Sequence, residues 1–321
     1  MFRKLLKARE FTLFVLLILI FLVMGVFSEF FLTTSNVLII LNGMAMNMII
    51  AVGVTIALIG GMIDFSVGSI MGCAGFTTAQ LLIAQNFCGM ERLPVFLCIL
   101  VGIIIGGLLG VINGILVDRL KIPPIVVTIG TWMAYRGLGI IIVGGASISN
   151  LPSAFKNISQ KWNLFGIPFN IIIMFSFVII GIFVLKKVRF FHQAFFVGGN
   201  VDSARLVGIN VRKFTIVSYA INGLLAGLAG VLTVSRLGSA PASMGQGVEF
   251  KIVTALLIGG VSFSGGSGSI LGAFLGVLIM QIISNILALY SVSADAQLLI
   301  IGSVLILAVA LDEYTKRKQM T

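Results

Sequence analysis

The stretch Gly60-Gly61-Met62-Ile63-Asp64-Phe65-Ser66-Val67-Gly68-Ser69 interrupts an otherwise apolar sequence with three glycines and a carboxylate. The apolar runs meeting there, 37–60 and 66–86, are each about the 20 residues that a helix rising about 1.5 Å per residue needs to cross a hydrocarbon core about 30 Å thick. A second such stretch, Gly259-Gly260-Val261-Ser262-Phe263-Ser264-Gly265-Gly266-Ser267-Gly268-Ser269, stands at an offset of 200 and pairs Gly60 with Gly260, Gly68 with Gly268, Ser69 with Ser269 and Gly72 with Gly272. Glycine-interrupted apolar segments at corresponding places in a membrane chain mark broken helices around a solute path. Glycines at such spacings also serve plain helix packing, so both readings stand at this point. The short match suggests an internal repeat and leaves its symmetry open.

Composition widens the argument to the whole chain. Of 321 residues, 59% are hydrophobic and 10% charged, with mean hydropathy +1.18. Soluble domains are about 45–50% apolar and about 25% charged, so a soluble globular enzyme is excluded. Apolar runs and turn residues predict an all-α polytopic membrane protein with spans near 11–31, 37–60, 66–86, 94–117, 123–145, 169–185, 214–236, 251–264, 270–290 and 295–311. Ten spans consume about 200 residues, which leaves loops and tails and no room for a nucleotide-binding domain. Residues 1–321 are read as one transmembrane domain, and any energy source must lie in another protein.

The net charge of +11 comes from basic residues scattered in short breaks between apolar runs, which argues against a nucleic-acid partner. Arg3, Lys4, Lys7 and Arg9 precede an apolar run too long for a secretory leader, so the first run is read as an uncleaved span. With the N-terminus inside, fifteen basic residues fall in cytoplasmic segments and five outside, with Arg136 within a span. That bias places both ends in the cytoplasm and agrees with an even number of spans.

Asp64 is costly in the membrane, about 2.5–3.5 kcal/mol unpaired on insertion scales. It either caps the helix that follows the break or contacts a solute. Arg136, with Trp132 and Tyr135 near it on one helix, either anchors at the interface or forms an aromatic and polar face suited to a sugar ring. Phe65, Ser66, Ser264 and Asn285 complete the candidate translocation path, with helix-to-helix hydrogen bonding as the plainer reading for the asparagines. Cys73, Cys88 and Cys98, with the single His192, lack metal-ligand or disulfide spacing. No phosphate-binding loop, metalloprotease motif, nucleophile elbow or carboxylate pair occurs, so no catalytic, cofactor or metal site is expected.

The longest basic loop, 186–213, contains Gly198-Gly199-Asn200-Val201-Asp202-Ser203-Ala204-Arg205-Leu206-Val207-Gly208. Asn200 fits an N-cap, Asp202 the first turn and Gly208 a C-terminal stop, giving a short helix of about two turns. Such an element suits docking of a cytoplasmic partner; lying on lipid headgroups is the alternative.

Taken in order, Gly-Gly-x-Ile-Asp-Phe-Ser-Val-Gly-Ser at 60–69, Lys121-Ile122-Pro123-Pro124, Thr128-x-Gly130-Thr131, Arg136-Gly137, Gly198-Gly199-Asn200, Gly208-Ile209, Gly245-x-Gly247-x-Glu249 and Gly265-Gly266-x-Gly268-Ser269 resemble the permease subunits of bacterial ABC importers for simple sugars such as ribose, xylose, arabinose and galactose. The likeness extends over nearly the whole chain. It implies a multi-pass protein of the bacterial inner membrane, paired with a second permease copy or paralogue. It further implies an ABC ATPase subunit bound on the inside, which uses the ATP, and an extracytoplasmic sugar-binding protein outside. Gly198, Gly199, Asn200, Asp202, Ala204, Arg205 and Gly208 would form the ATPase-docking element. Lys251, and Ile286 after Asn285, depart from the family pattern and bear on the cargo, for which autoinducer-2 and nucleosides are alternatives within the family. An ion-coupled secondary transporter is the competing class, and Asp64 is the only carboxylate placed to serve one.

Overall fold

Each of the ten apolar segments carries one helix in the structure, a computed structural model that describes residues 9–85 and 93–320. Arg3, Lys4, Lys7, Cys88 and Arg92 lie outside the described residues, as do the side chains of Arg9, Asp312, Lys316, Arg317 and Lys318. In chain order the apolar helices are α1 (Arg9–Phe27), α2 (Thr34–Ile59), α3 (Val67–Ile83), α4 (Val95–Leu120) and α5 (Pro124–Val143). A short α6 (Ser153–Gln160) and a hairpin of β1 (Asn163–Leu164) and β2 (Ile167–Pro168) lead to α7 (Phe169–Lys187). Three short helices follow, α8 (Arg189–His192), α9 (Ala194–Gly199) and α10 (Val201–Leu206). The chain closes with α11 (Val211–Leu237), α12 (Val248–Ile258), α13 (Ile270–Leu289) and α14 (Ala294–Met320).

Among the described residues, seven of these helices are long and apolar enough to cross a membrane, α1, α2, α4, α5, α7, α11 and α13, while the apolar stretches Val67–Ile83 and Ala296–Ala310 are shorter. The segment expected to span 251–264 is corrected: α12 has eleven residues, about 16 Å and half the core. The reason lies upstream. The chain after α11 starts at the end of the bundle where Ala240 pairs with Ile148, then turns inward until the carbonyl of Met244 packs on Gly72 and Gly245 packs on Gly68 of α3. Consequently α12 begins inside the bundle.

The break after α2 also turns inward. Asn222 of α11 touches both Gly53 of α2 and Asp64. Gly53 lies six residues before Ile59, so residues 60–64 climb back about 9 Å at about 1.5 Å per residue. That climb explains why α3 has only seventeen residues.

Both breaks open with the same C-cap. The amides of Gly60, Gly61 and Met62 bond to the carbonyls of Ile56, Leu58 and Ala57, and those of Gly259, Gly260 and Val261 bond to Ala255, Leu257 and Leu256. The left-handed residue is Gly61 (φ 76°) in one and Gly260 (φ 88°) in the other, a conformation that costs a residue with a side chain. The structural register is therefore 199 and not the offset of 200 suggested by letters alone. The second break is four residues longer, so the following helices restart at Val67 and Ile270. The two breaks lie at the same end of the bundle and touch, Gly266 N–H donating to the Ile59 carbonyl at 2.7 Å. The helices that enter the two breaks, α2 and α12, therefore end side by side.

Plain packing accounts for other glycines. Gly102, Gly106, Gly110 and Gly114 recur every fourth residue along one face of α4 and lie on α3 and α11, where a Cβ on Gly110 would overlap the Tyr219 carbonyl and one on Gly114 would come 2.7 Å from the Ile216 Cα.

Candidate translocation site and basic loop

Asp64 stands where the first break is deepest. It is completely buried and accepts three hydrogen bonds, from the Ser66 amide at 2.9 Å, the Ser66 hydroxyl at 2.6 Å and the Asn222 amide group at 3.4 Å. Ser66 is the N-cap of α3 without itself capping; its hydroxyl receives the Asn113 amide at 2.7 Å, and Asn113 in turn accepts the Tyr135 hydroxyl at 3.0 Å. The Ile63 carbonyl accepts from Tyr219 and Thr128. Asp64, Ser66 and Tyr135 thus form one polar strut joining the first break to α4, α5 and α11. Their hydrogen bonds are made to the protein.

Beside the strut the structure assembles an aromatic face from three elements. Phe65 of the break lies 5.5 Å from Phe250 at the start of α12, and Trp132 of α5 stands edge-on to Phe250 at 6.4 Å. Phe65 and Trp132 are half-buried and Phe250 is exposed. Next to them are two charged groups. Arg136 donates Nη1 to the Met244 carbonyl at 2.6 Å and leaves Nη2 buried with no partner among the described residues.

Glu249, only 1% exposed, accepts the Gly247 amide on Oε1 at 3.2 Å and lies beside the Trp132 side chain and the Arg136 guanidinium. Its oxygen rests on Gly68 in the first turn of α3, where a Cβ would overlap it. The carboxylate is therefore held between the N-termini of two shortened helices, where unpaired N–H groups favour negative charge. An aromatic wall flanked by an unpaired guanidinium donor and a buried carboxylate can stack on a sugar ring and bond its hydroxyls.

Two sequence candidates fall elsewhere. Asn285 exchanges reciprocal hydrogen bonds with Asn36, at 3.1 and 2.9 Å, at the opposite end of the bundle. Ser264 lies exposed on the second break. Sequence reasoning passed over Glu249 and Phe250, although the Gly-x-Gly-x-Glu spacing marked a helix start with an acid in its first turn.

The third feature is the basic loop. The Asn200 side chain caps α10 by accepting the Ser203 amide at 2.8 Å, and Asp202 pairs with Arg205 on the surface at 3.2 Å. Gly208 (φ 85°) ends the helix, its amide bonding to Arg205 and that of Ile209 to Ala204. Ala204 is buried, whereas Leu206 and Val207 project at 88% and 74% exposure. Behind the loop, Gly198 packs directly on backbone: a Cβ there would overlap the Ile59 carbonyl and stand 2.6 Å from the Gly266 amide. Gly265 in turn lies against Gly61 and Gly198. One glycine of the loop therefore touches both breaks. A cavity of about 540 Å³ opens beside this junction, lined by Gly61, Lys121, Pro123, Val197 and Arg205 among others.

Comparison with known proteins agrees with this architecture. The family model described as branched-chain amino acid transport system / permease component matches residues 36–309. The chain is 34% identical to the D-allose transport system permease protein AlsC of Escherichia coli over 94% of its length and 90% of that protein's. It is 32% identical to the ribose import permease protein RbsC of Haemophilus influenzae (96% and 94%) and 33% identical to the autoinducer 2 import system permease protein LsrC of an Enterobacter strain (97% and 88%). No solved structure matches. A chain of broken apolar helices that matches this model over most of its length belongs to the branched-chain amino acid transport system / permease component family, and it is a multi-pass membrane permease.

Proposed function

We propose that this permease is the membrane subunit of an ATP-driven importer of a simple sugar. In this reading it sits in the bacterial inner membrane with both termini in the cytoplasm. It pairs with a second permease copy or paralogue, receives cargo from an extracytoplasmic binding protein, and is worked from inside by an ABC ATPase. The observation that carries the reading is the loop 186–213, which presents two exposed apolar side chains outward and fixes a glycine against both broken helices inward. A motor pushing on α10 would move both breaks together.

Sugar as cargo is supported by the full-length likeness to permeases named for D-allose, ribose and xylose. The LsrC relatives, at 33% identity, make autoinducer-2 the second cargo to screen. The solute contacts in this reading are Phe65, Trp132, Phe250, Arg136 and Glu249, while Asp64, Ser66 and Tyr135 hold the first break in shape.

Two experiments test it. Leu206→Glu with Val207→Glu is expected to reduce capture of the ATPase in co-purification at least tenfold, since each apolar side chain is worth about 1.5–3 kcal/mol when buried in an interface. Undiminished capture would overturn the docking assignment. Labelled D-allose, ribose, xylose and autoinducer-2 are then offered to the assembled importer; uptake of none of them would overturn the cargo assignment. In the same assay Trp132→Ala should lower uptake about tenfold while leaving ATPase capture unchanged, the loss of one stacking face being worth about 1 kcal/mol or more.

A further inference from the structure

Three hollows lie in succession along one side of the bundle, from a cationic cluster to a purely apolar groove. The first, about 370 Å³, lies over the end of α7 and is lined by Lys186, Lys187, Arg189 and His192 with Phe196 and Val207. The second, about 250 Å³, shares Lys186 and His192 with the first and continues over Leu185, Phe195, Ile270 and Leu271. The third, about 340 Å³, begins one helical turn further along α1 and α13, between Phe14, Ile18, Leu22, Phe274 and Leu278, with no polar group in its lining. From Glu10 to Leu22 the hollows cover thirteen residues of α1, about 18 Å at about 1.5 Å per residue, close to one leaflet of a core about 30 Å thick.

The cations at its head are free to take an anion. Lys186, Lys187, Arg189 and His192 are exposed, and the ion pairs among the described residues are Arg205 with Asp202 and Arg212 with Asp118. The one carboxylate in the second hollow, Glu10, is engaged by the Ser269 hydroxyl at 2.9 Å. Three fixed positive charges at the membrane end of an acyl-length groove match a phospholipid in both charge and length. A water-soluble anion would use the head alone, and a protein partner would leave the groove empty.

We propose that this groove is a specific site for a phospholipid with an anionic headgroup, its phosphate on Lys186, Lys187 and Arg189 and one acyl chain between α1 and α13. The lipid would brace α1, whose membrane-crossing stretch is otherwise only 17% buried in the protein, against α13.

The test measures lipid retained on the purified full chain by native mass spectrometry after delipidation and exposure to phosphatidylglycerol or phosphatidylethanolamine with identical acyl chains. The proposal expects retention of phosphatidylglycerol at least tenfold above phosphatidylethanolamine, and loss of that preference in Lys186→Gln/Lys187→Gln/Arg189→Gln. A second variant, Ile18→Trp/Leu22→Trp, fills the groove at exposed positions and leaves the cations in place; it should reduce retention of both lipids. Glycerol phosphate, which offers the headgroup alone, should compete weakly. Equal retention of the two lipids, full competition by glycerol phosphate, or a triple variant that loses ATPase capture while keeping its phosphatidylglycerol would each overturn the assignment.

Discussion

Gly198→Val is expected to abolish concentrative uptake while leaving the chain inserted in the membrane. A Cβ at Gly198 would overlap the Ile59 carbonyl and come 2.6 Å from the Gly266 amide. Both obstacles are backbone, and they are already bonded to each other at 2.7 Å, so no side chain can yield space. The valine must lift α9 away from both breaks, and a loop that no longer touches them cannot move them. The neighbouring residue provides the control. Gly199 has nothing within 4 Å of an added Cβ, so Gly199→Ala leaves the fold unchanged, and any loss of uptake in it reports on capture of the ATPase. Normal uptake by Gly198→Val would show that the junction transmits nothing.

The second large effect is on stability. In Asp64→Ala the Ser66 amide and hydroxyl and the Asn222 side chain lose their common acceptor in a fully buried place. Orphaned donors cost about 1–3 kcal/mol each, partly offset by no longer burying a charge, so a net loss of roughly 2–4 kcal/mol and a lowered thermal midpoint in detergent are expected. Asp64→Asn keeps one acceptor for Ser66 and turns donors toward the Asn222 amide, so its midpoint should fall in between. A variant Asp64→Ala that melts like the wild type and loses only uptake would instead make Asp64 a direct solute contact.

These effects bear on how the fold could be read from the sequence. Helix positions were legible because most apolar runs match the thickness they must cross: all ten segments hold a helix, eight of them within four residues of the expected bounds. Depth was not legible. Residues 60–64 and 240–247 turn inward on contacts made by Asn222, Gly68 and Gly72 from distant helices, and hydropathy carries no record of such contacts. That is why the segment expected to cross at 251–264 is a half-length helix. The repeat was visible as shared glycines, but its true register is fixed by the residue that must adopt positive φ, Gly61 in one break and Gly260 in the other. Letter identity alone placed it one residue away.

The candidate site divides in the same way. The cap at Asn200 and the stop at Gly208 are local, within three or four residues of the groups they bond, and sequence spacing is enough to find them. The aromatic face is not local: Phe65, Trp132 and Phe250 come from the first break, α5 and α12. Phe65 and Trp132 stand out in sequence as residues in unusual places, whereas Phe250 reads as an ordinary apolar residue until α12 is placed beside them. Asn285 shows the opposite case, a polar group in an apolar run whose partner is the equally isolated Asn36.

The claim beneath all of this is that the chain is a gate without a motor of its own. The direct measurement is uptake of labelled sugar into proteoliposomes holding the permease alone, and then the permease with its ATPase, binding protein and ATP, each with and without a proton or sodium gradient. The account predicts accumulation above the outside concentration only in the assembled, ATP-supplied vesicles. Accumulation by the permease alone on an ion gradient would contradict it.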